Sequence, residues 1–149
     1  MPKRKNPPVI HSVEALSPYM LRLTWKNGVE ADVDVSEVIT TYQIYEPLRA
    51  DNELWAKVRV ASWGWYVQWT EEIDMSGETI WRLYQEQTGE VMRQADFFLW
   101  RKNFHLSQEK AARILGISRR TVINYEKGEQ PIPKYIRLAC KGAEQEMNS

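Results

Sequence analysis

The stretch Leu106–Gly128, LSQEKAARILGISRRTVINYEKG, decides how the second half of this chain is read. Ser107 is a cap-type residue before a run with helical spacing, and Gly116 stops that run. Ser118 opens a second run, which Gly128 closes. Ala112 is small enough for two helices to approach closely, and Gly116 permits the positive φ of a sharp helix stop. At about 100° per residue, Val122, Tyr125 and Ser118 fall on one side of the second helix. Arg120, Ile123, Asn124 and Lys127 fall on the opposite side, with Arg119 flanking. Two arginines in a first turn face the positive end of the helix dipole, at a cost from a few tenths up to about 1 kcal/mol. The placement predicts that a negative charge arrives from outside. Guanidiniums suit guanine edges, the Asn124 amide an adenine edge, the Lys127 ammonium a phosphate and Ile123 a thymine methyl.

The neighbouring segments are also helical. MRQADFFLWRKNF, from Met92, spaces its large apolar residues as a helix does, and PKYIRLACKGAEQE opens on Pro133, which suits a first turn. Strand patterns vanish from Val91 onward, so residues 91–149 are expected to form an all-α domain of four helices. Before it, residues 8–90 alternate with period two. VIHSVEAL, YMLRLTW and VEADVDV read as strands, with Asn27-Gly28 as a hairpin turn between the last two. DNELWAKV reads as a short helix capped by Asp51 or Asn52, KVRVAS and WYVQWT as further strands, and SGETIWRLYQEQTG as a helix capped by Ser76 and closed by Gly89. The expected class is therefore α+β: a small antiparallel-sheet domain followed by a helical one. Residues 1–7 read as a basic, disordered arm.

Totals narrow the function. Lysines and arginines number 20, as do acidic residues, yet residues 1–90 carry 9 basic and 14 acidic side chains and residues 91–149 carry 11 and 6. The second half is thus the one suited to an anionic partner. The lone Cys140 allows no intrachain disulfide, and with only His11 and His105 beside it a zinc site is not expected. No metal or cofactor is expected. Without a long apolar run, neither a signal peptide nor a membrane span is expected, and the protein is read as soluble and cytoplasmic.

Leu106–Gly128 resembles the helix-turn-helix of lambda-repressor/Cro-type (XRE) regulators. Ser107, Gln108, Ala112, Leu115, Gly116, Ile117, Ser118, Val122, Glu126 and Gly128 fit that pattern without a gap, and Tyr125 fills its aromatic place. The resemblance implies a DNA-binding regulator of transcription, a repressor, whose helix 118–127 reads the major groove through Arg119, Arg120, Ile123 and Asn124. It implies phosphate contacts from Gln108, Ser118, Lys127 and Lys134, with Gln108 bracing Arg119, and a partly buried salt bridge between Arg101 and Glu126. A fifth, dimerising helix is missing from the pattern, so a homodimer would need another contact. Residues from Pro8 to about Gln87 are similar to small bacterial domains of uncharacterised function. They carry in order Pro-Val, Asn-Gly-Val-Glu, Val-Asp-Val-Ser, DNELWAKVRV, Trp69 and Ile73-Asp74.

On a strand, Trp63, Trp65, Val67 and Trp69 would share one face. Trp69 and Trp55 are expected in the core; Trp63 and Trp65 stand open between core and an interface or ligand surface. The acidic cluster Glu71, Glu72 and Asp74 has no histidine, lysine or glycine-rich loop beside it, so it reads as a solvated turn and the protein as a non-enzyme. The alternative to a free-standing regulator is an antitoxin-like protein, whose first domain binds a protein partner while the helices autorepress an operon. In either case the first domain is a place for a protein partner or a small-molecule effector, and the second for double-stranded DNA.

Overall fold

The computed structural model describes residues 6–148; the expected basic arm lies outside them except for Asn6 and Pro7. The chain divides into two compact units between Gln87 and Thr88.

The first unit opens with an antiparallel sheet of β1 (Ile10–Leu16), β2 (Met20–Trp25) and β3 (Glu30–Asp34), in that order. Alternation along β2 buries Leu21, Leu23 and Trp25 and turns Arg22 outward, where its Nε donates to Asp32 across the pair at 3.0 Å. The Asn-Gly turn forms as expected. Gly28 takes φ +92°, and the Asn27 side chain accepts from the Val29 amide at 3.0 Å. Next come three short helices, α1 (Ser36–Thr41), α2 (Glu46–Ala50) and α3 (Asn52–Ala56). Asp51 caps α3, accepting from the amides of Glu53 and Leu54. A second antiparallel sheet holds β4 (Arg59–Ala61), β5 (Tyr66–Gln68) and β6 (Asp74–Ser76), and α4 (Gly77–Thr88) follows.

The core of this unit is rich in tryptophan. Trp55 and Trp69 stack with ring centroids 5.5 Å apart, both buried, and the Trp69 indole donates to the Trp55 carbonyl at 3.0 Å. Trp25 meets Trp81 and Tyr84 of α4 at 5.1 and 5.3 Å. Where α4 ends, Gln87 clamps the edge strand. Its side-chain oxygen accepts from the Asp34 amide at 3.0 Å, and its nitrogen donates to the Asp34 carbonyl at 2.7 Å. Glu71 and Glu72 are exposed on a turn whose Thr70 hydroxyl accepts from the amides of Glu72 and Ile73, and Asp74 is exposed at the start of β6.

One expectation fails here. Val67 and Trp69 are buried, but Trp63 is 87% exposed and Trp65 61%. Both lie outside β5. Ser62, Trp63 and Gly64 take positive φ angles of 44°, 63° and 88° in succession, and this left-handed turn, closed by the Trp65 amide on the Ser62 carbonyl at 3.2 Å, ends the alternation before the strand starts. Gly64 sits so close beneath the Ile10 carbonyl that a Cβ there would lie 2.2 Å from its oxygen.

The second unit contains β7 (Val91–Met92), α5 (Gln94–Asn103), α6 (Gln108–Leu115), α7 (Arg119–Lys127), β8 (Ile132–Pro133) and α8 (Lys134–Met147). The small ribbon of β7 and β8 corrects the all-α expectation: Val91 pairs with Pro133 and Met92 with Ile132. Two residues per strand are too few to show a period in the sequence. Phe97, Trp100, Ala111, Ala112, Val122, Tyr125, Ile132 and Ile136 form the buried core.

Candidate nucleic-acid interface

Caps and turns fix the geometry of α6 and α7. The Ser107 hydroxyl accepts from the Lys110 amide at 3.1 Å. Gly116 takes φ +72°, and the Ile117 amide reaches back to the Ala112 carbonyl at 3.0 Å, closing α6. Two residues later Ser118 caps α7, its hydroxyl accepting from the Thr121 amide at 3.0 Å and lying 2.9 Å from the Thr121 hydroxyl. Gly128, at φ +73°, ends α7, and the Glu129 amide bonds to the Asn124 carbonyl at 3.0 Å. Val122 and Tyr125 point into the core. Burial, reinforced by Tyr135, pushes the Tyr125 phenol up to about 12, against a hydrogen bond from Gln130 that works the other way.

A polar clamp holds α7 to the helices before it. Glu126 Oε1 accepts from Arg101 Nε at 2.7 Å and lies 2.6 Å from a terminal guanidinium nitrogen; the two side chains are only 10% and 9% exposed. A further Arg101 nitrogen donates to the Leu106 carbonyl at 3.0 Å. Gln108 Nε2 donates to the second Glu126 oxygen at 2.8 Å, and the Gln94 carboxamide donates to the Glu126 carbonyl. One carboxylate therefore fixes the register of α7 against both α5 and α6.

What remains on the outside of α7 is basic. Arg119, Arg120 and Lys127 are exposed and Ile123 is half-buried. The first turn of α7 contains no acidic residue, and among the described residues neither Arg119 nor Arg120 has an ion-pair partner. Residues 120, 123 and 127 follow helical spacing along one stripe. Lys134 opens α8 in solvent, its ammonium 4.0 Å from Glu90 Oε1.

Two expectations are corrected. Asn124 is not on the outward face: it is 6% exposed, and its Nδ2 donates to Gln130 Oε1 at 3.3 Å. Gln130, past the Gly128 turn, supplies a side-chain partner that a helical wheel drawn for α7 alone omits. Gln108 braces Glu126 rather than Arg119. Gln94 and Gln130 are the polar residues that sequence reasoning missed, because both act on α7 from outside the motif. Trp63 and Trp65 belong to the first unit. Among the described residues no cluster of His, Cys, Asp or Glu is placed to hold a metal ion, and no helix is long and apolar enough to cross a membrane.

A capped helix, a glycine turn and a second helix with an unpaired basic face, packed in a helical unit, define a helix-turn-helix domain. The helix-turn-helix family model matches residues 99–139, the XRE-type motif. The first unit is matched over residues 10–86 by the model for DUF2442, a protein of unknown function, and the chain belongs to that family. The whole chain is similar to a crystal structure of NE0471 from Nitrosomonas europaea ATCC 19718, a protein whose name proposes DNA binding. The two are 36% identical over 96% of this chain and 90% of that one, with a TM-score of 0.56. No curated protein matches the chain.

Proposed function

We propose that this protein is a sequence-specific DNA-binding regulator of transcription, a repressor, which works as a homodimer and reads the major groove with α7. The observation that carries the reading is the pair Arg119 and Arg120, exposed at the helix start without an acidic partner among the described residues. They sit at the end of a recognition helix that lies in the groove, where its N-terminal residues meet base edges. DNA then supplies the negative charge that the dipole does not. Arg119 and Arg120 contact guanine, Ile123 a thymine methyl, and Lys127 and Lys134 the phosphates, with the Ser118 hydroxyl proton directed to phosphate. Asn124 has no base-reading role in this assignment. The likeness to NE0471, whose name proposes DNA binding, supports this part of the reading.

Selection from random duplex DNA, followed by titration at several salt concentrations, tests this. Each phosphate neutralised contributes about −0.9 to the slope of log K against log salt. Arg120→Ala should flatten base preference at one position per half-site, by about 1–3 kcal/mol. Lys134→Ala should weaken all sequences alike and reduce the slope by about one unit. An unchanged selected motif for both Arg119→Ala and Arg120→Ala would reject α7 as the reader.

A further inference from the structure

We propose that the turn bearing Trp63 and Trp65 is the surface through which two copies of this chain associate. The proposal rests on the DNA-reading assignment in one respect: one helix-turn-helix reads a half-site, and a two-fold partner reads the other about 34 Å away. Trp63 is the most exposed large apolar side chain among the described residues, and Trp65 stands two residues on. At up to about 250 Å² for each indole side chain, these exposures leave roughly 370 Å² open per chain. That is a little under half of the roughly 800 Å² that each partner contributes to a standard interface.

The mount is firm. A bulky residue such as Trp63 rarely takes positive φ, and here its neighbours hold it there. Gly64 is wedged under Ile10, the Gly77 amide donates to the Trp65 carbonyl at 2.8 Å, and the Ser62 hydroxyl donates to the Tyr66 oxygen at 2.9 Å. Indoles presented on a fixed backbone lose little freedom on binding.

An uncharged turn suits a second copy as the occupant. A two-fold contact sets a patch against itself. Residues 60–70 contain no charged side chain, so this turn meets its own copy without like-charge repulsion along that stretch. The same is not true of the Glu30, Asp32 and Asp34 edge of β3, nor of the Arg119 and Arg120 end of α7.

Sedimentation of the full chain over a range of concentrations, with oxidative footprinting of tryptophan, tests the proposal. The wild type should dimerise, and Trp63 and Trp65 should become protected as the dimer fills. Trp63→Ser with Trp65→Ser should raise the dissociation constant at least tenfold with an unchanged circular-dichroism spectrum. A wild type monomeric at every concentration overturns the proposal, as does a dimer that survives the double substitution. Equal oxidation of both indoles in monomer and dimer also overturns it, and so does protection seen only on adding single-stranded DNA. A tryptophan-dependent dimer that binds no duplex would instead reject the DNA-reading assignment and leave this contact standing.

Discussion

Arg101→Met removes the side chain that ties α5 to Glu126, and its effect can be worked out from the geometry. The pair is nine-tenths buried on both sides, with contacts of 2.6 and 2.7 Å, and the same guanidinium also satisfies the Leu106 carbonyl. Removing one partner of such a pair leaves an uncompensated buried charge and costs about 3–5 kcal/mol. Gln108 stays on the other Glu126 oxygen and continues to solvate it, which places the expected loss near the low end, about 3 kcal/mol. For a unit of this size each kcal/mol shifts the melting temperature by about 4–8 °C, so a drop of roughly 12–24 °C is expected. Calorimetry of Arg101→Met, Glu126→Gln and the double variant measures it. The double variant should be less destabilised than the sum of the singles by at least about 1 kcal/mol. Additivity within about 0.5 kcal/mol, or a single loss below about 1 kcal/mol as for an exposed pair, would refute the clamp.

Asn124→Ala should lower the melting temperature of the helical unit, since it removes the hydrogen bond between buried Asn124 and half-buried Gln130, a net loss of about 0.5–1.5 kcal/mol. The selected DNA motif should stay as it is, and a base preference lost at an adenine would contradict the burial. Gly64→Ala should destabilise the first unit by more than Gly28→Ala. Both residues have positive φ, but only Gly64 has a carbonyl where the Cβ would go; that overpacking adds roughly 1–3 kcal/mol to the shared backbone strain. Equal urea midpoints for the two variants would remove the contact from the account. Alkali should loosen the second unit. Burial, with Glu144 adding, raises the Cys140 thiol from 9.0 to about 12, and the Tyr125 phenol is raised from 10.0 to about 12. Groups with raised folded values stabilise fully below their unfolded values, and that contribution is lost as pH rises from about 9 toward 12. A pH series of thermal melts follows the loss; a melting temperature flat from pH 8 to 11 would contradict it. At pH 8 a thiol reagent should label Cys140 only in unfolded chains.

Local rules made much of this molecule legible. Asp51, Ser76, Ser107 and Ser118 accept from backbone amides at helix starts, and Gly89, Gly116 and Gly128 take the positive φ that helix ends need. These depend on a few consecutive residues, which a sequence displays directly. The misses come from contacts between distant residues. Asn124 is buried because Gln130 returns over α7, and a helical wheel assumes that nothing does. Trp63 and Trp65 leave the strand pattern because Gly64 fits under Ile10, more than fifty residues earlier in sequence. Helices α1 and α2 were not expected at all: exposed Tyr42 and Ile44 lie between them and blur any apolar period.

The Gln87 clamp on Asp34 has a mechanical consequence. Gln87 is the last residue of the first unit, where the backbone leaves for the second. Its two hydrogen bonds tether that exit to an edge strand through a side chain, in parallel with the helix's own backbone bonds. A tug on the chain from residue 88 onward must shear this tether before it can unwind α4 and expose the Trp25–Trp81 contact. Load is thus diverted into β3 at the point of entry, and the tryptophan core is insulated from a pull on the residues beyond 88.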